Sequence, residues 1–410
     1  MMSLEEHTTC VIAGGGPAGM MLGYLLARAG IAVTILEKHA DFLRDFRGDT
    51  IHPSTLEVMQ QLGLLKPLLA QSHQKVLQIS AHIGDMHFTI ADFSQLPIPY
   101  IVLMPQWDFL NLLAEAGKSQ PSFNLRMNTE VKDLLVESGR IAGVKAYDTS
   151  TKNDLIIRAT LVVGADGRTS QIRKCANMAI IDMGVPIDVL WMCLPKRNTD
   201  QTASLGGRID RGKILVMLDR GNYWQCAFII KKGTFPDWHQ RGLSAFQQAL
   251  ATLQPMFSDR VEELHNWDKI KLLTVKLDRL QHWAREGLLC IGDAAHAMSP
   301  VGGIGINLAI QDAVATANCL AVPLLNNCLT LADLHMVQQR RFWPTKITQG
   351  IQAFIHRHAI TPALQVNSKI TTPPWPLRLL NRSSWLRCLL GRAVGIGIRP
   401  ERVSQIIICK

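Results

Sequence analysis

Residues 9–36 constrain this chain more than any other stretch. Residues 9–13 form a short apolar run ending in glycine, as a buried parallel strand does. Gly14-Gly15-Gly16-Pro17-Ala18-Gly19 follows, then residues 20–29 with helical composition, stopped at Gly30. Residues 31–36 are a second β-rich run, and Glu37 comes directly after it. A strand, a helix and a parallel strand within about thirty residues commit this region to an α/β sheet. Gly14 permits the tight turn, Gly16 lets backbone approach a pyrophosphate, and Gly19 lets the helix lie close to the strand. Phosphates would sit on free N–H groups at the positive end of that helix. Glu37 can accept from ribose hydroxyls, and an acid there suits an unphosphorylated adenosine ribose, hence FAD or NAD rather than NADP as the resident dinucleotide. Gly14, Gly16, Ala18, Gly19, Glu37 and Lys38 are the candidate contacts of this piece.

Two later pieces share the layout of an apolar run followed by a polar turn. The first is Gly164-Ala165-Asp166-Gly167. The second runs Gly292-Asp293-Ala294-Ala295-His296, then Pro300, then Gly302-Gly303-Ile304-Gly305-Ile306-Asn307. Residues 288–291 have buried-strand composition, so Asp293 falls where ligands of open α/β sheets bind. An aspartate there can bond the ribityl hydroxyls that a flavin has and NAD lacks. The glycines before Ile306 open a helix whose N–H groups and dipole favour negative charge on a reduced flavin ring. The plainer alternative for this piece is an N-cap aspartate and an ordinary glycine turn.

At 410 residues, with 47% hydrophobic and 19% charged residues, the chain is long and apolar enough for two or three folded units. The net charge of +10 suits anionic ligands, an acidic membrane surface or nucleic acid. No basic run of nucleic-acid type interleaved with aromatics is found, so nucleic acid is not expected. Nine cysteines without a C-x-x-C pair argue against a disulfide framework or a zinc site and for a reducing cytoplasm. The start is acidic and polar and is not expected to be a secretory signal, and the glycine-broken stretch 10–29 is not a membrane span.

Residues 55–64 and 107–116 are expected to be helices. Residues 76–104 and 185–277 hold short β-rich runs, among them 213–218 and 223–231 around a hairpin signal at Asp219-Arg220-Gly221-Asn222. The expected architecture is α/β: a Rossmann-like FAD-binding domain from residues 1–75, 105–180 and 278–360, an inserted antiparallel β-sheet substrate domain from 76–104 and 181–277, and a C-terminal helical tail over 361–410. A helix over residues 306–320 should stop at Pro323. No internal repeat is expected. The tail mixes Trp, Leu and Ile with six arginines; it is read as helices packed on the body with a solvated Arg face, the alternative being a basic surface for a membrane.

The three pieces in this order resemble the FAD-dependent aromatic hydroxylases of the para-hydroxybenzoate hydroxylase type, over residues 8–320. Two softer matches add to this: Phe46-Arg47-Gly48 ahead of Pro53, and Pro105-Gln106 ahead of a helix. The resemblance implies an FAD- and NAD(P)H-dependent monooxygenase that hydroxylates an aromatic or polyketide-like small molecule with O2 through a flavin C4a-hydroperoxide, NADPH or NADH being a transient reductant. By resemblance Arg47 and Gln106 would contact FAD, Val131 would offer backbone to the adenine, and Asp166 would lie where FAD and the nicotinamide nucleotide meet. Asp293 would hold the ribityl chain, Pro300 would line the flavin ring, and Gly303, Gly305, Ile306 and Asn307 would present backbone to it. No residue is expected to act as a catalyst in its own right, since the flavin carries the chemistry; Arg47 and Pro300 are its candidate neighbours. No metal is expected, and His296 is expected to be structural. Trp191, Met217, Trp224 and Phe228 are each either pocket wall or core, because one step of strand register exchanges the two. The remaining alternatives are a membrane-associated hydroxylase of a quinone precursor, a flavin-dependent prenyl reductase, a halogenase (although the W-x-W-x-I-P segment usual there is missing) and a flavin-bearing sensor.

Overall fold

The structure, a computed structural model, describes residues 4–43, 50–200, 205–366, 368–370 and 375–408. Its main sheet runs in the order Ala284–Arg285, Leu288–Cys290, Asn153–Gly164, Leu4–Ala13, Val33–Leu36, Phe123–Arg126. The central four strands and Phe123–Arg126 are parallel. Strands Thr129–Glu137 and Arg140–Asp148 extend the sheet as an antiparallel meander onto Asn153–Gly164. Helix Pro17–Arg28 packs against helix Gly305–Leu325, and both bury nearly all of their apolar side chains against the sheet. A sheet covered on its faces explains why the central strands read as unbroken apolar runs.

Expected elements appear with shifted ends. The first helix begins at Pro17 rather than residue 20, because proline's fixed φ suits the first helical position. Helix Gly305–Leu325 runs through Pro323, where the expected stop would be; in the last turn a proline forfeits one hydrogen bond at a point where the helix is ending anyway. This is the one helix among the described residues long and apolar enough to cross a membrane, yet 72% of its apolar window is buried inside the protein, as a core helix requires.

A second sheet has the order Lys271–Leu273, Ile187–Pro195, Tyr223–Lys231, Lys213–Asp219, Leu205–Asp210, Gln78–Ile83, Met86–Asp92. It departs from the expected all-antiparallel insert in two ways. Leu205–Asp210 pairs in parallel with Gln78–Ile83. The stretch 185–277 also contains helices Phe235–Arg241 and Leu243–Leu253, the second burying Phe246, Leu250 and Leu253 on the sheet. Strand Ile101–Leu103 does not join this sheet; it pairs with Thr50–Ile51 and Gln74–Val76.

Register settles the ambiguous side chains. Met217, Trp224 and Phe228 share the face covered by Leu243–Leu253, where Phe228 meets Phe246 at 5.2 Å between ring centroids. Trp191 lies on the opposite face, in one row with Ala227, Val216, Gly207 and Ala81. That face packs toward Ile101, Leu103 and the tail residues Val394 and Ile396.

The tail forms helices Trp375–Arg382, Ser384–Gly395 and Gln405–Ile408. Its inner side is tightly seated: a Cβ on Gly391 would lie 1.9 Å from the Asp92 carbonyl oxygen, so only glycine permits this approach. The two longer helices carry one short pattern twice, Trp375-x-x-x-Leu379-Leu380-x-Arg382 and Trp385-x-x-x-Leu389-Leu390-x-Arg392.

Candidate active site

The parallel strands end in register. Leu36, Ala13, Gly164 and Cys290 form one row across four neighbouring strands. The row is closed by backbone bonds just beyond it: Gly14 N–H to Leu36 O (2.8 Å), Ala165 N–H to Ala13 O (2.8 Å) and Ile291 N–H to Gly164 O (2.9 Å). Glu37, Gly14, Asp166 and Asp293 therefore leave the same edge of one sheet, although up to 279 positions separate them in sequence.

At the first turn Gly14 has φ +106°, and a Cβ there would lie 2.5 Å from the Ala165 oxygen. A Cβ on Gly19 would lie 2.0 Å from the Gly14 oxygen. These two glycines close-pack strand, turn and helix. A Cβ on Gly16 would meet nothing within 4 Å, so the helix N-terminus opens into free space, with Ala18 buried behind it. Glu37 accepts the Gly15 N–H at 2.9 Å and is bonded to His39. Lys38 follows on the same connection, and the Thr129 N–H donates to the Glu37 carbonyl (2.8 Å), which brings the buried Val131 strand alongside.

Asp166 caps the next turn: Oδ2 accepts the N–H groups of Gln171 (2.6 Å) and Ile172 (3.1 Å). Its Oδ1 is buried and has no partner within the described residues. Arg168 reaches across to Asp293, Nη2 to Oδ2 at 3.2 Å, while its Nη1 is also buried without a partner there. Asp293 stands on a one-turn 3-10 helix, Gly292–Ala294, in which Gly292 has φ +58°.

The third piece folds back onto the same edge. Pro300 precedes the turn Val301–Gly303, and Gly305 starts the long helix with no side chain capping its N–H groups. Thr50 Oγ1 donates to Gly303 O (2.8 Å), and Thr50 pairs with Leu103, three residues before Gln106. Gln106 opens helix Gln106–Lys118 beside that contact. The Asn307 side chain is already used: Oδ1 accepts His52 N–H (2.9 Å) and Thr55 Oγ1 (2.7 Å), leaving its backbone, with that of Ile306, as what the helix start can offer. Arg47 lies outside the described residues.

His52 is fully buried, and burial lowers its pKa to about 4, against a smaller opposing effect of its bond to the Val394 carbonyl. That carbonyl accepts from Nδ1–H, which leaves Nε2 as the bare nitrogen, with no partner within the described residues. Its folded value lies below its unfolded one, so the unfolded chain binds the extra proton between about pH 4 and 6.5. Stability is then fully present above 6.5 and is lost as pH falls through that window. We expect unfolding midpoints to decline from pH 6.5 toward 4, and to decline less in His52→Gln, as followed by urea titration.

One supporting element was not legible in the sequence. Helix Leu331–Ile355, continued by a π-helical turn His356–Ile360, clamps the third piece from behind. Gln349 Nε2 donates to the carbonyls of Asp278 (2.8 Å) and Ala297 (3.2 Å). Gln352 Nε2 donates to those of Ser299 and Val301 (both 2.9 Å), and His356 Nε2 lies 2.7 Å from Ser299 Oγ. Pro300 is thus held on both sides. Arg341 Nε reaches the buried Asp312 at 3.0 Å, and Asp312 also holds His296 Nε2 (2.5 Å) and the Gly292 N–H (3.1 Å). His296 serves this network and does not face the open edge.

Two uncapped helix starts, a glycine cradle open at Gly16, an acid at the tip of the second strand and two buried polar atoms awaiting partners fit a bound FAD: diphosphate at the first helix, ribose by Glu37, ribityl chain by Asp293 and ring by the turn after Pro300. The comparisons with known proteins bear on the same question. The profile of a family described as "FAD binding domain" matches residues 7–327. A 6-methylpretetramide 4-monooxygenase from Streptomyces rimosus is 30% identical over 97% of this chain and 94% of its own length. The chain belongs to the FAD-dependent aromatic hydroxylase family. Among solved structures, p-nitrophenol 4-monooxygenase PnpA from Pseudomonas putida superposes with a TM-score of 0.75 at 16% identity, covering 96% of this chain and all of that one. The myxobacterial halogenase CndH superposes equally well, TM-score 0.75 at 18% identity over 98% and 95% of the two chains. Such likenesses show the fold alone. In this hydroxylase, FAD is the cofactor and monooxygenation the class of reaction.

Proposed function

We propose that this monooxygenase hydroxylates an electron-rich ring of a flat, polycyclic, polyketide-type aromatic, taking reducing equivalents from NADPH or NADH. The observation that carries the reading is the single row of strand ends from which Glu37, Gly14, Asp166 and Asp293 all depart. Bound FAD supplies reductive activation of O2. The chain's own groups would bind and orient it: the Gly16 turn and the Pro17–Arg28 helix start would hold diphosphate, and the N–H dipoles of the Gly305 helix start would favour negative charge on the ring. Asp166 and Arg168, each with one buried polar atom that lacks a partner among the described residues, would meet the nicotinamide nucleotide.

In this reading residues 1–75, 105–180 and 278–360 serve the cofactor, and 76–104 with 181–277 close the substrate space. The ring would lie between the turn after Pro300 and the sheet face bearing Trp191, Ala227, Val216 and Gly207, where the last three are small or branched and the first is flat. That face and the clamp behind Pro300 would have to exclude water from the reacting centre. The resemblance to a 6-methylpretetramide 4-monooxygenase over nearly the full length of both chains favours a polycyclic substrate over a single ring. The test is an oxygen-electrode screen of the FAD-loaded protein with NADH or NADPH and a series of phenols of one to four fused rings. NAD(P)H oxidation should be slow alone and rise at least tenfold with a polycyclic phenol, with one oxygen atom gained in the product. Flavin reduction without any product oxygenation across the series would defeat the proposal.

A further inference from the structure

We infer that the two tail helices form a docking surface for an anionic lipid bilayer. The net charge is not spread over the chain: residues 1–333 hold 31 Lys and Arg against 32 Asp and Glu, whereas residues 334–410 hold 12 against one. From residue 334 to residue 400 there is no acidic side chain at all. The exposed aromatic side chains follow the same division. Among the described residues every exposed Trp or Phe, namely Trp343, Phe354, Trp375 and Trp385, lies in that acid-free stretch.

The repeated pattern sets the geometry. Trp375, Leu379 and Arg382 stand at positions i, i+4 and i+7 of one helix, and Trp385, Leu389 and Arg392 at the same positions of the next. Such spacing puts each trio on one helix face, and all six side chains are exposed. Trp375 is 74% and Trp385 68% accessible, far above what either needs for fit inside a protein. The opposite face of the second helix is committed. Gly391 sits against the Asp92 backbone, a Cβ on Gly395 would lie 2.9 Å from Leu96, and the Val394 carbonyl bonds His52. The corner between the helices is fixed as well, since Arg387 Nη1 donates to the carbonyls of Leu380 (2.9 Å) and Asn381 (3.0 Å). The tail therefore cannot turn its tryptophans inward.

Tryptophan and leucine beside arginine on one face is the composition that inserts at the boundary of headgroups and acyl chains, with the cations left among anionic phosphates. A second copy of this chain is a poor occupant, because it would bring a second strongly basic surface against the first. A duplex nucleic acid would use the arginines and leave four exposed apolar side chains in water. The bilayer uses both.

The test is co-sedimentation of the full-length FAD-loaded protein with vesicles of phosphatidylcholine alone and of equimolar phosphatidylcholine and phosphatidylglycerol. The bound fraction should be at least about tenfold higher on the anionic vesicles and should fall as salt is raised. The double variant Trp375→Ser/Trp385→Ser should lose about tenfold in vesicle affinity with flavin content and melting temperature unchanged, and Arg378→Gln/Arg382→Gln should lose the preference for phosphatidylglycerol. Equal or absent binding to both vesicles overturns the inference, as does a double tryptophan variant that binds like the parent. It is likewise overturned if the tryptophan substitutions instead convert a dimer to a monomer in sedimentation velocity, or if a DNA duplex is bound and vesicles are not.

Discussion

Replacing Asp312 by alanine should destabilise the protein by about 3–5 kcal/mol, the range for removing one member of a buried ion pair. Asp312 is wholly inaccessible, and its carboxylate accepts three groups, from Arg341, His296 and the Gly292 backbone. Burial opposes its ionisation, but His296 and Arg341 outweigh that and hold the carboxyl below its usual range. Without it the Arg341 guanidinium, itself 1% exposed, would keep among the described residues the Arg399 carbonyl at 3.3 Å and a more distant Glu401 carboxylate at 3.8 Å. The loss should appear in urea unfolding at pH 7. It should also appear as weaker FAD retention, because the Gly292 N–H that Asp312 anchors begins the turn bearing Asp293. A carboxyl with a lowered folded pKa contributes stability above its unfolded pKa and loses it as pH falls. The parent should therefore weaken on acidification, whereas Asp312→Asn, less disruptive in shape, should weaken less steeply. An alanine variant within 1 kcal/mol of the parent would show that the network is not what holds this turn.

The parts of the site that were legible in the sequence are those where the backbone itself is under constraint. A parallel strand buried on both faces must be an apolar run, and a chain that turns sharply over a helix start must use glycine, so residues 9–19, 164–167 and 288–305 announced themselves. The clamp behind Pro300 did not. Gln349 and Gln352 are buried in the fold, but a glutamine in a helical segment has the same appearance whether it bonds water or a strand's carbonyls. Only the tertiary placement of helix Leu331–Ile355 against residues 278–301 distinguishes the two. Helix Phe235–Arg241 has only seven residues, too few to establish a helical period, whereas Leu243, Phe246, Leu250 and Leu253 do recur at helical spacing and were masked only by the β-rich runs on either side. Trp191 and Trp224 could not be told apart until the pairing Trp191–Ala227 and Leu194–Trp224 fixed which face each occupies, three residues apart and therefore on opposite sides.

Asp293→Ala should weaken FAD binding by about 1.5–3 kcal/mol, roughly ten- to a hundredfold, as expected for losing hydrogen bonds to a charged group. The structure adds a condition to that expectation. Asp293 is joined to Arg168 at 3.2 Å, with both side chains about one third exposed, so part of its charge is balanced before any ligand arrives. A pair this accessible contributes little to stability, and the alanine variant should melt close to the parent when both are stripped of flavin. The effect should then fall on binding, where the carboxylate would meet ribityl hydroxyls and Arg168 would be released toward the cofactor or its reductant. Arg168→Gln separates these roles. If Arg168 only positions Asp293, its substitution should cost FAD affinity in the same sense and lesser degree, with the rate of flavin reduction by NAD(P)H unaltered. If it meets the reductant, the FAD dissociation constant should stay within threefold while the reduction rate in stopped-flow falls by an order of magnitude or more. Unchanged FAD affinity in Asp293→Ala, measured by flavin fluorescence recovery on dilution, would remove the ribityl assignment and leave Asp293 as a surface ion pair at the end of a strand.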